Sequence, residues 1–280
     1  MKFTINLRSY LQASVFLLLA LFLSPVGAFC QEKAPAVKSG APLSIDKAKA
    51  EVEKFFPLIY SSGVTGKPKD QGEFHINRFL KNIGIIGKND PDFATGLINH
   101  KLTVLQNFKK NHKQMSNLEG EFMDAFWGSF NIGVLERGRV YRNSQPSPGD
   151  ISWYIKDAGF KTFINLRTED RFWSNFTAQI EEKICKENGV VYKNFKLRDQ
   201  DDPPPSKKEI EEVLSFIDKS PKPVMFHCAH GKGRTGMVAA AYRITRQGWK
   251  AEDAIKEAVP YGFRPEKMPN QVQVIKSFEK

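Results

Sequence analysis

Three cysteines in 280 residues, Cys30, Cys185 and Cys228, are too few and too odd in number for a disulfide framework. At least one thiol therefore has no intramolecular partner, and something must account for it. Histidine is scarce as well, with five in the chain, and no pair of Cys or His recurs at ligand spacing away from residues 227–230. That argues against a zinc site, and we expect neither metal nor cofactor. Long apolar runs are also missing. The one near the start, Val15 to Leu23, is shorter than the roughly 20 residues that a spanning helix needs. No internal repeat or low-complexity tract is present, which excludes solenoids and arrays. Hydrophobic residues still make up 41% of the chain, enough to build a core, so disorder throughout is excluded.

What is present begins with an address. Residues 1–28 carry a basic start (Lys2, Arg8), the apolar run, and small residues at Gly27 and Ala28, the layout of a secretory signal peptide. We expect export to a periplasmic or extracellular location; the alternative is that this segment stays as a membrane anchor. Cys30 invites lipidation, but the Phe29 before it is not the small residue such a site wants. Loss of residues 1–28 lowers the net charge from +11 to +9. A basic surface favours polyanions. Such polyanions include nucleic acid, acidic lipid head groups and phosphorylated substrates; we expect no nucleic acid, and membrane contact only through an uncleaved signal or anionic lipid.

Residues 29–125 read as a linker followed by a helical region of unknown role. Residues 29–43 are small, polar and proline-bearing. Ser44 then caps a helix with Val52, Phe55, Phe56 and Ile59 on one face. Residues 61–92, rich in Gly, Lys, Asn and Asp, predict loops around a short element near Phe74–Ile86. Leu97, Ile98, Leu102, Leu105 and Phe108 mark a second amphipathic helix. His75, His100 and His112 are scattered and read as ordinary polar or surface residues.

From about residue 126 the pattern changes. Short apolar runs at Gly138–Arg142, Thr162–Leu166, Val190–Leu197 and Val224–His227 predict strands. Between them Ser147–Ala158, Phe176–Asn188 and Ser206–Lys219 predict helices. The alternation argues an α/β fold over residues 126–280, a helix-flanked and mostly parallel central sheet with a helical N-terminal extension. Ligands in such folds gather at the carboxyl ends of strands.

One strand ends in HCAHGKGRTG, residues 227–236. A Walker-type nucleotide loop fails here, because Phe226 stands where the first Gly belongs and Gly233 follows Lys232. A metal site at His227, Cys228 and His230 would sit beside the repelling cations Lys232 and Arg234. A nucleophile accounts for more of the residues. Ala229, His230, Gly231, Lys232 and Gly233 form a glycine-bearing turn into the helix Arg234–Gln247, and such a turn directs backbone amides toward an oxyanion. Cationic neighbours and helix N-termini also favour thiolates, lowering thiol pKa values to about 3.5–7.5. Arg234 offers a charged fork for two phosphate oxygens, Thr235 a donor to the sulfur, and His227 a buttress for the loop. Cys-x5-Arg alone is weak; the strand before it and the helix after it make it specific.

That stretch resembles the phosphate-binding signature of the protein tyrosine phosphatase superfamily in its dual-specificity branch. NIGVLERGRVYRNSQPSPGDISWYIKDAGFKTFINLR, residues 131–167, resembles the start of the plant and fungal atypical dual-specificity phosphatases and their bacterial relatives. Together the resemblances cover about residues 126–265. They imply a metal-independent phosphomonoesterase working through a phosphocysteine on Cys228, with Arg234 binding the phosphate. They also imply a general acid a few residues before a proline at a helix entrance. Residues 198–206, RDQDDPPPS, offer Asp199, Asp201 and Asp202, and Asp201 fits the family spacing first, Asp199 second. Lys232 resembles the loop lysine of phosphoinositide and inositol-pyrophosphate phosphatases, although it can equally do no more than raise the local potential. Arg167 and Arg171 read as basic rim residues or, more plainly, as partners of Glu169 and Asp170. Three readings follow: a phosphatase of phosphotyrosine, phosphoserine or phosphothreonine proteins, a phosphoinositide or inositol polyphosphate phosphatase, and a catalytically silent phosphate-binding module.

Overall fold

The computed structural model describes residues 43–54, 69–111, 129–168 and 172–279. The signal-like segment, Cys30, Phe55, Phe56, Ile59 and Arg171 lie outside them. Pro42–Lys280 forms one unit. Five strands, β1 (Gly133–Glu136), β2 (Val140–Asn143), β3 (Thr162–Asn165), β4 (Val191–Asn194) and β5 (Val224–His227), build one sheet in the order β1-β2-β5-β3-β4. β1 and β2 pair antiparallel and the other neighbours pair parallel. β5, which delivers Cys228, is thus the central strand, and all four of its residues are buried. The sheet is mixed and mostly parallel, as the alternation of runs implies. β1 was not legible in advance: a four-residue strand joined to β2 by a turn with Gly138 at φ 69° leaves too little periodicity to detect.

Alternation along the strands sorts two cores. Val140, Ile164, Val224 and Phe226 face one side, against α6 (Lys207–Lys219), α7 (Gly233–Gln247), α8 (Ala251–Ala258) and α9 (Pro269–Lys276). Tyr141, Phe163 and Met225 face the other. There they meet α4 (Pro148–Lys156), α5 (Phe172–Glu187) and residues of the N-terminal helices α1 (Ile45–Glu53), α2 (Lys69–Asn89) and α3 (Pro91–Asn111). Ala48, Val52, Phe79, Ile83, Ile86, Leu97 and Ile98 are wholly buried in this second core. The N-terminal helices are therefore one covering layer of the sheet.

α2 departs from the sequence expectation. Where glycines and asparagines predicted loops around a short element, a helix of 21 residues runs from Lys69 to Asn89. Each glycine costs a helix roughly 1 kcal/mol, but Phe79, Leu80, Ile83 and Ile86 fall on one helical face and bury against the sheet layer. At about 1.5–3 kcal/mol per buried side chain, that stripe outweighs the poor propensity. Local chemistry sets other boundaries. Ser147 and Ser206 close capping boxes with Asp150 and Glu209 at the starts of α4 and α6, and Gly248 ends α7 in the left-handed region. No helix among the described residues is long and apolar enough to cross a membrane.

Candidate active site

Cys228 stands at the end of β5, 2% exposed, and the loop after it turns at once into α7. The turn depends on Gly231. Its φ is 66°, and a Cβ there would stand 2.7 Å from Asn143 O and 2.8 Å from Ser144 N, so only glycine fits. The carbonyls of Ala229, His230 and Gly231 are held from outside. Gln145 N donates to Ala229 O (3.2 Å), Asn131 Nδ2 to His230 O (2.9 Å), and Arg142 Nη2 to Gly231 O (2.5 Å). Among the described residues no acceptor takes the amides of Ala229, His230, Gly231 or Lys232. Carbonyls anchored outward and amides left over make a cradle for an oxyanion at a helix N-terminus.

Arg234 opens the helix with its guanidinium 4% exposed. Nη1 donates to Leu197 O (3.3 Å) and Leu166 O (3.5 Å), while Nη2 meets Asp199 Oδ2 at 3.0 Å. The carbonyls at the ends of two neighbouring strands thus hold the fork flat, and Asp199 occupies its outer edge. Asp199 is 39% exposed, which leaves it open to exchange with another anion.

The acid that the family spacing favours is differently employed. Asp201 accepts from Gln271 N (2.9 Å) and Asn270 N (3.3 Å) at the start of α9. Its carboxylate answers orphan amides of a helix N-terminus, whereas Asp199 lies against Arg234. Spacing to a proline cannot tell two aspartates apart when one of them caps a helix that lies 70 residues away. Asp202 makes no hydrogen bond or ion pair among the described residues. Thr235 Oγ1 reaches Asn143 O at 3.5 Å, and no bond from it to the sulfur is present among the described residues.

His227 is wholly buried, with Nε2 2.8 Å from Glu181 Oε1 and Nδ1 3.3 Å from Cys228 O. A carboxylate accepts, so Nε2 is the nitrogen that donates. Glu181 also receives Asn165 Nδ2 (3.1 Å) and Gln145 Nε2 (3.4 Å), and Arg167 Nη1 donates to Gln145 Oε1 (2.8 Å). Arg167 is buried within this network. His230 stands exposed on the loop. Lys232 is half-buried; burial, then the nearby charges of Arg78 and Arg264, hold its pKa below the ordinary lysine value, while Cys228 acts in the opposite sense.

Several residues here escaped the sequence reading. Glu181 and Gln271 carry no motif, and Asn131 and Arg142 lie in the stretch 131–167 without having been given a role. Asn131 is itself held by Asn82 of α2, whose Nδ2 donates to Phe130 O (3.0 Å) and Asn131 Oδ1 (3.4 Å). Gln271, 3% exposed, has an unpartnered Oε1 3.5 Å from where a Cβ of Gly233 would stand. Its one signal was a polar residue on the apolar face of α9, with Ile275 and Phe278. His100, expected to be an ordinary polar or surface residue, is largely buried and reaches Asp150 Oδ1 at 3.2 Å.

A buried cysteine and an arginine sharing one oxyanion loop, at the end of the central strand of a mixed sheet, define the site of the cysteine-dependent phosphatases. The chain belongs to the family described as PTP-NADK, DSP-PTPase phosphatase fused to NAD+ kinase, whose model matches residues 122–274. Among curated proteins it is 50% identical to the dual specificity protein phosphatase TpbA of Pseudomonas aeruginosa over 60 residues, 21% of this chain and 28% of that protein. It is 25% identical to the inositol diphosphatase DSP3 of Arabidopsis thaliana over 130 residues, 45% of this chain and 60% of that protein. The chain therefore spans less than two thirds of the length of these curated relatives. The solved catalytic core of the PP-IP phosphatase SIW14 from S. cerevisiae, in complex with citrate, superposes with a TM-score of 0.45 at 20% identity, covering 54% of this chain and 87% of that one.

Proposed function

We propose that the chain hydrolyses phosphomonoesters through a phosphocysteine on Cys228. The observation that carries this is the pairing of Cys228 and Arg234 on one loop, with the carbonyls of Ala229, His230 and Gly231 tied outward. Phosphate entering the loop takes the amides and the Arg234 fork, and displaces Asp199 from its 3.0 Å contact. The freed Asp199 takes up a proton from solvent and then stands beside the bound phosphate. Cys228 Sγ attacks phosphorus, the P–O bond to the leaving group breaks, and the carboxylic acid of Asp199 gives that oxygen its proton. Water next attacks the phosphocysteine, Asp199 takes the water proton, and the P–S bond breaks to return the thiolate and release phosphate. His227, whose Nε2 donates to Glu181, and Glu181 itself are positioning residues that fix the end of β5 beside Cys228.

Phosphorylated protein side chains are the first substrate class that this reading supports, in keeping with the name of the P. aeruginosa relative. The charge around Lys232 favours a second, more highly phosphorylated class, in keeping with the name of the A. thaliana relative. A silent phosphate-binding module shares the loop but not the turnover. Purified protein is expected to hydrolyse an aryl phosphate in excess chelator, and Cys228→Ser to abolish that activity. Turnover that needs a metal, or survives in Cys228→Ser, overturns the mechanism. Export rests on residues 1–28 alone, and a mature protein starting near Phe29 is the expected product in the host; an intact Met1 contradicts it.

A further inference from the structure

We infer that Arg78, Lys232 and Arg264 form a subsite for a second phosphoryl group of the substrate, on the side of the loop toward Gly262. The inference rests on the phosphatase reading of Cys228 and deepens it. Arg78 from α2 and Lys232 from the phosphate loop meet over Gly262, and Arg264 follows two residues later in the turn after α8. Arg78 Nη1 reaches Tyr261 O at 3.4 Å. Gly262 lies under both side chains: its φ is 89°, and a Cβ there would stand 2.8 Å from Arg78 Nη1, 3.1 Å from Lys232 Cδ and 3.2 Å from Lys232 Cε. Glycine is thus needed for the arginine and the lysine to lie side by side.

Such convergence works against folding. Arg78 and Arg264 each make the charging of Lys232 harder, and Arg264 does the same to Arg78, in addition to the effect of burial. Among the described residues neither Lys232 nor Arg264 has a carboxylate within ion-pair distance. Glu257 is engaged with Arg243, Asp199 with Arg234, and Asp201 with the start of α9. Repelling cations held together beside an oxyanion loop are stabilised when an anion joins them. Lys232 also feels the charge of Cys228, so the cluster adjoins the nucleophile. A substrate with two phosphoryl groups close together, as a diphosphate or a neighbouring bisphosphate, satisfies both the loop and the cluster. A single phosphomonoester satisfies only the loop.

The test is calorimetric titration of the full mature chain carrying Cys228→Ser, which binds without turnover, with inorganic phosphate and with inorganic diphosphate. Diphosphate is expected to bind more tightly, and both Arg78→Ala and Arg264→Ala to reduce the ratio of the two affinities by about tenfold, the loss of one charge-assisted contact. Arg264 is exposed, so its removal disturbs no packing and keeps the test open should Arg78→Ala fold poorly. A ratio unchanged in Arg264→Ala overturns the subsite, and no binding of inorganic phosphate overturns instead the phosphatase reading beneath it. Titration with inositol hexakisphosphate and with vesicles containing phosphatidylinositol bisphosphate then separates a soluble source from a lipid headgroup. Dependence on Arg264 in either identifies that source, and dependence in neither overturns the subsite.

Discussion

Among single residues, Asp199 and Asp201 divide one sequence expectation between them. Asp199 touches Arg234 and Asp201 caps α9, so their substitutions should differ in kind. Asp199→Asn is expected to lower kcat on an alkyl phosphate by about 10²- to 10⁴-fold, the range of general acid catalysis. It should have a smaller effect on an aryl phosphate, whose leaving group needs less help. Asp201→Ala should instead cost roughly 1 kcal/mol of stability as a lost cap, visible in denaturant melts. The reverse pattern would return the acid to Asp201. Cys228, Arg234 and the glycine turn were legible because one short stretch contains them all. Glu181, Asn131 and Gln271 were not, since each reaches the loop from a different element through contacts that leave no local pattern.

Between elements, the joint of α3 and α4 is unusual. Lys101 Nζ lies 2.6 and 2.7 Å from the two oxygens of Asp150, both groups 1% exposed, and Ser129 Oγ and His100 Nε2 reach the same carboxylate. Burial alone would discharge both the lysine and the carboxylate. The charge of Lys101, with His100, nonetheless holds the Asp150 carboxyl well below its ordinary 3.8. Lys101→Met strands that carboxylate and is expected to cost about 3–5 kcal/mol in equilibrium unfolding. The sign with pH follows from a depressed carboxyl. Its contribution is complete above the ordinary value and is lost as pH falls below about 4. The stability gap between wild type and Asp150→Asn should therefore narrow from pH 5 toward pH 2; a constant gap would contradict the charged pair. Helices with capping boxes, such as α6, were readable from sequence. α2 was not, because its stability comes from burial across the sheet, which propensity does not register.

For residues 42–280, the N-terminal helices and the phosphatase-type residues share one core. Phe79, Ile83, Leu97 and Ile98 pack in one cluster with Tyr141, Phe163 and Met225. A chain begun at residue 126 would bare that sheet face, a larger apolar patch than stable monomers carry. It is expected to aggregate or to lose its cooperative thermal transition, whereas a soluble fragment with the full chain's melting temperature would show that α1 to α3 are dispensable. The alternation of strands and helices foretold the sheet, since short apolar runs are written locally. That the N-terminal region covers one face of it was not foretold, because the complementarity lies between segments far apart in the chain. The central claim, that Cys228 carries the phosphoryl group, is tested most directly by quenching Asp199→Asn in acid during turnover of an aryl phosphate. Mass analysis of the peptide containing Cys228 should then find one phosphoryl group on the thiol. An unmodified Cys228 during sustained turnover would contradict the account.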